Sequence, residues 1–307
     1  VNSPSVTVAV LTFNGEQYID ALISAVEAQR YDGAVEILII DSGSTDATLP
    51  IVAAHSSVRL HEIPNAEFGH GRTRDLAARL ATGDIVAYLT QDAVPRNDRW
   101  LHELVLPMAD DPRIAAVVGR QIARPSAPPV IKYDIRRTFD ALGPRAGITV
   151  VWDTGRSMSR VERDAAAFYS DANSAARREI LTGPVPYADV DYAEDQVLGR
   201  ALFDGGYRRA YAPAATVEHS NDTTLLTFGA RIDADLSGLR RIGTPFPPVS
   251  LTTALKQWLK WTTVDSAEIL IDPDYSLAQR LMLLASNPWY HAVKWGAYRR
   301  AANRPLD

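Results

Sequence analysis

Apolar residues in the first third of the chain arrive in two alternating rhythms. Val6–Leu11 and Val35–Ile40 are short continuous runs rich in β-branched side chains, while Gly15–Gln29 spaces Ile19, Leu22, Ile23 and Val26 at helical intervals. Continuous runs of this length read as strands buried on both faces, and the wider spacing reads as a helix laid over them. The order repeats: Thr45–Ala54 predicts a helix, Val58–Ile63 a strand, Arg72–Ala81 a helix closed by Gly83, and Ile85–Leu89 a fourth strand. Strands joined by short helices need right-handed crossovers, so the expected class is α/β, a mostly parallel sheet with helices on both faces.

The rhythm then weakens. Prolines between Pro125 and Pro129 interrupt regular structure, and the polar stretch through Arg163 predicts a substrate-side insertion with loop character. Helical spacing resumes over Asn173–Leu181 and Ala193–Phe203, and Arg208–Ala210 and Ala215–Glu218 are short strand candidates. Beyond residue 222 the character changes, giving an expected α/β domain over 1–222 and a helical appendage over 223–307. Four of the six tryptophans lie after the Thr-Pro-Phe-Pro-Pro stretch at 244–248. Leu251–Trp261 mixes Leu255, Trp258 and Leu259 with Lys256 and Lys260, and Trp289–Arg300 mixes aromatics with Lys294, Arg299 and Arg300. Both patterns resemble interfacial helices, although packing on the α/β domain or on a second subunit is the commoner use of such segments. Peripheral membrane contact and homo-oligomer formation both stay open.

Composition narrows the function classes. With 307 residues and 46% hydrophobic positions the chain has material for a sizeable core, and a formal charge of −5 gives no reason to expect nucleic acid as a partner. The absence of cysteine excludes disulfides, thiolate metal sites and a cysteine nucleophile. Val1–Ser5 begin no basic and apolar leader, and no run of eighteen apolar residues occurs, so a cytoplasmic location is expected.

Candidate chemistry gathers where apolar runs stop. The run from Ile85 ends on Leu-Thr90-Gln91-Asp92-Ala-Val-Pro95, which puts Asp92 at the carboxyl edge of the sheet, where open α/β folds bind ligands. A carboxylate held there suits a divalent cation facing a phosphorylated substrate; a plain turn before Pro95 is the equal alternative. Asp41 ends the second strand and opens Asp-Ser-Gly43-Ser-Thr-Asp46, placed to accept the imide N–H of a pyrimidine or merely to cap a helix. Phe68-Gly-His-Gly-Arg72-Thr-Arg74-Asp75 puts two guanidinium groups at a helix start, an anion site suited to diphosphate. Residues two apart on a helix point to different sides, so only one of these arginines should face phosphate. No P-loop occurs, and no Gly-x-Gly-x-x-Gly follows the first strand.

In this order the elements resemble glycosyltransferase family 2, whose members have the GT-A fold, over about residues 5–222. The opening Val-Ala-Val-Leu-Thr12-Phe-Asn14-Gly is similar to the family's first nucleotide-binding strand, and Asp41-Ser-Gly43-Ser-Thr-Asp46 to its second. Thr90-Gln91-Asp92 falls where the family usually carries Asp-x-Asp; the first aspartate is missing, so the resemblance leaves Asp92 as metal ligand and Thr90 for a ribose or water. Asp171-Ala-Asn173-Ser-Ala-Ala-Arg-Arg-Glu resembles the loop and helix that precede the acceptor site, which implies Asn173 on the acceptor side, and Ala193-Glu194-Asp195-Gln196 resembles the Glu-Asp motif whose aspartate is the base. His219, after Thr-Val-Glu, stands where a related histidine completes the metal shell.

The Phe68–Asp75 and Leu89–Ala93 motifs are similar to those of bacterial rhamnosyltransferases that use dTDP-L-rhamnose, with Asp75 a departure from the usual asparagine. The resemblance implies inverting transfer to a glycan or lipid-linked glycan acceptor, with Asp195 as base, Glu194 beside it, and Mg2+ or Mn2+ at Asp92. Asp191 and Glu194 are the next candidate bases. Two alternatives stay open: a family member using another UDP- or dTDP-sugar, and a non-catalytic sugar-nucleotide-binding assembly protein.

Overall fold

The computed structural model describes residues 3–190, 192–219, 223–244 and 246–304. In chain order they form β1 (Val6–Thr12), α1 (Ile19–Glu27), β2 (Val35–Asp41), α2 (Thr48–Ala54), β3 (Val58–Glu62), α3 (His70–Leu80), β4 (Ile85–Thr90) and β5 (Val94–Pro95). Then come α4 (Trp100–Asp110), β6 (Ile114–Ile122), α5 (Pro129–Asp140), β7 (Thr149–Val151), α6 (Arg160–Ala166), β8 (Ser174–Arg177), α7 (Arg178–Leu181), α8 (Glu194–Asp204) and β9 (Arg208–Glu218). Three helices close the chain: α9 (Leu225–Arg241), α10 (Leu251–Ile271) and α11 (Leu277–Asn303).

The sheet order is β3-β2-β1-β4-β8-β6-β9-β5, with β7 against β9. β3, β2, β1 and β4 are parallel neighbours, β8 runs antiparallel between β4 and β6, and β9 returns parallel to β6. Six strands therefore point one way, and β8, β5 and β7 oppose them. The apolar runs become central strands as expected: Val6, Val8, Val10, Ile37, Ile39, Ile85 and Leu89 share one core with Leu22, Ile23 and Val26 of α1.

Contacts divide the chain into one unit of residues 1–122 and 138–219 and a second of 123–137 and 220–307. The sheet belongs to the first. In the second, α9 and α10 pack on α11, and the first turns of α5 join them. The 222/223 boundary expected from sequence lies partly outside the described residues.

Several expectations change. Ser174–Arg177, expected as helix, is the strand β8, and only Arg178–Leu181 is helical. The small residues Ser174, Ala175 and Ala176 are fully buried between β4 and β6, so tertiary pairing overrides the helix preference of alanine. The stretch expected as a loop-like insertion contains α5, β7 and α6; α6 starts on a capping box in which Ser159 and Glu162 each accept from the other's backbone N–H. Arg208–Glu218 is one continuous strand, and α4 and β6 form where no element was expected.

One consequence of topology positions all that follows. The carboxyl ends of β1, β2, β4, β6 and β9 share an edge, and because β8 runs the opposite way its leading residues lie there too. Thr12, Asp41, Thr90, Asp92, Gln121, Asp171 and His219 all occur at or next to that edge.

Candidate active site

At the β1–β2 end the loops are stitched together by side chains. Asp41 is fully buried, and its carboxylate accepts from Thr12 Oγ1 at 2.9 Å, Ser44 Oγ at 2.6 Å and the Gly43 and Ser44 N–H groups at 3.0 and 2.8 Å. Those four donors fill the acceptor positions of a carboxylate. Asp41 thus builds the loop, and a base N–H could reach it only by displacing an internal donor. Gly43, at φ +83°, supplies the left-handed residue that closes the turn. Asn14, also at positive φ, accepts the Thr45 N–H at 2.9 Å and donates its own N–H to Ser44 Oγ at 2.9 Å. Gln91 pairs with both the N–H and the C=O of Phe13, at 2.9 and 3.2 Å, tying the end of β4 to that of β1.

Asp92 and His219 meet, although they follow strands far apart in sequence, β4 and β9. His219 Nε2 is 3.5 Å from Asp92 Oδ2, and both side chains are partly open. Behind them Gln121, at the end of β6, donates to Ser170 Oγ at 2.9 Å and offers Oε1 to His219 Nδ1 at 3.0 Å. That contact holds the imidazole in a fixed orientation. Nε2 and the Asp92 carboxylate thus lie side by side on the ligand side, an N and an O donor of the kinds that Mg2+ or Mn2+ accepts. Beside it, the buried Thr90 Oγ1 has no hydrogen-bond partner. Among the described residues no third His, Asp or Glu joins the pair.

The same chain of contacts continues to the candidate base. Ser170 precedes Asp171, whose N–H lies 3.4 Å from Asp195 Oδ2. Asp195, in the first turn of α8, accepts the Gln196 N–H at 2.7 Å. Ala193, which aims it, adopts φ +57° as a non-glycine, a conformation costing about 1–2 kcal/mol that the surrounding packing must enforce.

Around Asp195 acids outnumber bases. Arg74 is buried and ion-paired with Glu194 and, through Nε at 3.0 Å, with Asp171. Asp171 is fully buried, accepting from Ser174 Oγ at 2.7 Å and Tyr187 OH at 2.8 Å. Three carboxyl groups therefore share one guanidinium. Burial first, then repulsion from Asp171 and Glu194, outweighs the attraction of Arg74 and pushes the Asp195 carboxyl up to about 7. Asp171 is also raised, chiefly by burial, against the pull of Arg74. Gly71 allows this contact: a Cβ there would lie 1.9 Å from the Ala188 carbonyl, so only glycine lets α3 approach the segment leading into Glu194.

Two expected ligand contacts are corrected by this geometry. Arg74 is enclosed by carboxylates, which removes it from diphosphate binding; Arg72, half exposed and 3.5 Å from Asp189, is the arginine left to an anion. Asn173 is fully buried, its amide donating to the Arg120 and Ala215 carbonyls at 2.8 and 2.7 Å and accepting from Trp100 Nε1 at 2.9 Å. It joins strands and cannot meet an acceptor. Sequence reasoning gave no role to Asp171 or Gln121. Asp171 opens a motif in which Asn173 was the expected contact, and Gln121 had no local signal because β6 was not expected. Asp191 lies outside the described residues.

Comparison with known proteins agrees with the fold. Residues 7–182 match the family described as Glycosyl transferase family 2. The O-antigen chain rhamnosyltransferase WbaN of Salmonella anatum is 31% identical over 225 residues, 72% of this chain and 68% of that protein. The O-antigen chain rhamnosyltransferase RfbN of Salmonella typhimurium is 28% identical over 223 residues, 71% of this chain and 67% of that one. Among solved structures, the mannosyltransferase PcManGT from Pyrobaculum calidifontis, in complex with GDP-Man and Mn2+, superposes with a TM-score of 0.60 at 22% identity, covering 97% of this chain and 86% of its own. The match spans more than half of the sequence, and it includes Thr12, Asp41 and Asp92: the chain belongs to glycosyltransferase family 2.

Proposed function

We propose that the protein is an inverting rhamnosyltransferase that moves L-rhamnose from dTDP-L-rhamnose to a glycan or lipid-linked glycan acceptor, with Asp195 as general base. The observation that carries the chemistry is the Asp195 carboxyl, pushed up to about 7 by burial and by two neighbouring acids. A base poised near the working pH is the arrangement that general-base catalysis favours. The donor assignment draws its support from the names of the Salmonella relatives and from the motifs around Arg72 and Thr90.

In this reading the acceptor hydroxyl oxygen attacks the anomeric carbon from the face opposite the diphosphate. Asp195 takes the hydroxyl proton as the new C–O bond forms, and the electron pair of the breaking bond leaves with the nucleoside diphosphate. Glu194 holds Arg74, and Arg74 holds Asp171, so the pair keeps the base in place rather than touching the sugar. Asp92 and His219 would hold Mg2+ or Mn2+, with Gln121 fixing the imidazole. When bound, the cation neutralises charge that develops on the leaving diphosphate. Thr12, Asn14, Asp41 and Gly43 shape the wall on which the nucleoside lies, and Arg72 adds positive charge on the diphosphate side.

A donor panel tests the reading. With Mn2+ present, dTDP-L-rhamnose should be turned over or hydrolysed faster than UDP-glucose, UDP-galactose or UDP-N-acetylglucosamine, and chelation with EDTA should remove most of that rate. Preference for a UDP-sugar would overturn the donor, and full activity in EDTA would overturn the role given to Asp92 and His219.

A further inference from the structure

The two units differ sharply in charge. The second unit carries 14 Lys and Arg against 9 Asp and Glu, a formal +5, whereas the first carries 18 against 28, a formal −10. Within the second unit α10 and α11 form an antiparallel hairpin, joined by Trp258 Nε1 donating to the Pro288 carbonyl and by His291 facing Asp265. Several of its exposed positions are large and apolar. Leu251, Leu255 and Leu259 stand at four-residue steps on α10, each at least 55% exposed. Leu277, Leu281 and Trp289 lie on one such ridge of α11, each at least 63% exposed. At the tip of the hairpin Ile271 is 79% exposed.

The charges that accompany these side chains all have one sign. α11 contains no acidic residue, and the two acids of α10 are engaged: Asp265 is buried against Arg137 and His291, and Glu268 pairs with Arg136. Lys256, Lys260, Arg299 and Arg300 enter no salt bridge among the described residues, and the Lys260 ammonium lies over the ring of Trp261. Asp274, in the turn between the helices, is paired with Lys132. Exposed leucines and a tryptophan accompanied by unpaired lysines and arginines are the composition of a helix that lies in a lipid interface. A second copy docking like face on like face would set Lys256 and Lys260 against cations, which disfavours that occupant. No helix among the described residues is long and apolar enough to cross a membrane.

We propose that the α10–α11 hairpin is a docking surface for an anionic phospholipid bilayer, with leucines and Trp289 entering the interface and Lys256 and Lys260 meeting lipid phosphates. The full chain should co-sediment with vesicles of phosphatidylcholine containing one-third phosphatidylglycerol, and much less with phosphatidylcholine alone. Lys256→Glu with Lys260→Glu should weaken binding by at least about 25-fold, since each cation near the surface contributes roughly fivefold. Leu255→Ser with Trp289→Ser should weaken it at all salt concentrations, whereas 0.5 M NaCl should mainly weaken the parent. Circular dichroism and nucleotide binding establish that each variant is folded. Failure to bind anionic vesicles overturns the proposal, as does unchanged binding by folded variants. Self-association lost in the leucine–tryptophan variant, without vesicle binding by the parent, would assign the face to a second copy instead.

Discussion

Two carboxylate networks in this molecule obey different arithmetic. At the edge of the sheet Asp171, Glu194 and Asp195 share the single cation Arg74, and the carboxyl of Asp195 is pushed up to about 7. In the C-terminal unit cations nearly match the acids: Asp265 pairs with Arg137 and His291, Glu268 with Arg136 and Arg137, Asp134 with Arg137 and Lys294, and Asp272 and Asp274 share Lys132. There burial raises Asp272, but the hydrogen bonds and charge of Lys132 outweigh it and hold the carboxyl below its usual range. Both networks combine buried and partly buried groups and both are hydrogen-bonded, so burial does not distinguish a working group from a structural one. The count of charges does. Three acids around one cation store a proton that can be exchanged near neutral pH; a set in which cations nearly match acids holds helices together.

The sharpest way to break the comparison is to remove the proton-taking group. Asp195→Asn keeps the shape of the side chain and its contact with the Gln196 N–H, so folding and donor binding should survive while turnover falls by about 10²–10⁴-fold. Near-wild-type turnover would move the base elsewhere. Next in size is Arg74→Met, which leaves three acids with no cation. Breaking a buried ion pair from one side costs about 3–5 kcal/mol, so urea unfolding should show a loss on that scale, largest at alkaline pH where the acids are charged. A loss as small as that of an exposed arginine would show that the cluster is solvated.

Smaller effects sharpen the same contrast. Glu194→Gln removes one of the like charges that raise Asp195, so the acidic limb of the rate profile should move to lower pH while turnover above it falls less than in Asp195→Asn. An unmoved limb would mean that Glu194 does not tune the base. Stability should respond to the two networks with opposite signs. Because the folded-state value of Asp195 lies above its ordinary 3.8, the native state binds the extra proton, and stability falls as pH rises from about 4 to 7. Asp195→Asn should therefore match wild type near pH 4 and melt a few degrees higher at pH 8, where ~1 kcal/mol corresponds to about 2–4 °C at this size. For Asp272 the folded value is lowered, so its contribution is present at neutral pH and lost in acid; Asp272→Asn should melt lower at pH 7, the gap closing as pH falls. Equal signs in the two variants would dissolve the distinction.

Much of this was legible in the chain because local and tertiary preferences agree there. β1, β2 and β4 are apolar runs that end in Thr12, Asp41 and Thr90, and a parallel sheet brings such ends to one edge. The pairing of Asp92 with His219 followed once both were placed at strand ends. What could not be read depends on pairing across long separations. Asn173 carries a polar amide in a polar-looking segment, and only the insertion of β8 between β4 and β6 turns it into a buried strut. Arg74 sits in an arginine-rich helix start like Arg72, and only the close approach allowed by Gly71 encloses it with Glu194 and Asp171. The elevated carboxyl of Asp195 is a sum over those partners, so no local pattern could announce it.

The central claim is that acid in excess of base tunes Asp195 to neutral pH, and direct titration of its carboxyl tests it most closely. Carboxyl 13C chemical shifts of the full chain, with the signal assigned by its absence in Asp195→Asn, should give a midpoint near 7 that moves down in Glu194→Gln. A midpoint in the ordinary aspartate range near 4, unchanged in Glu194→Gln, would contradict the account.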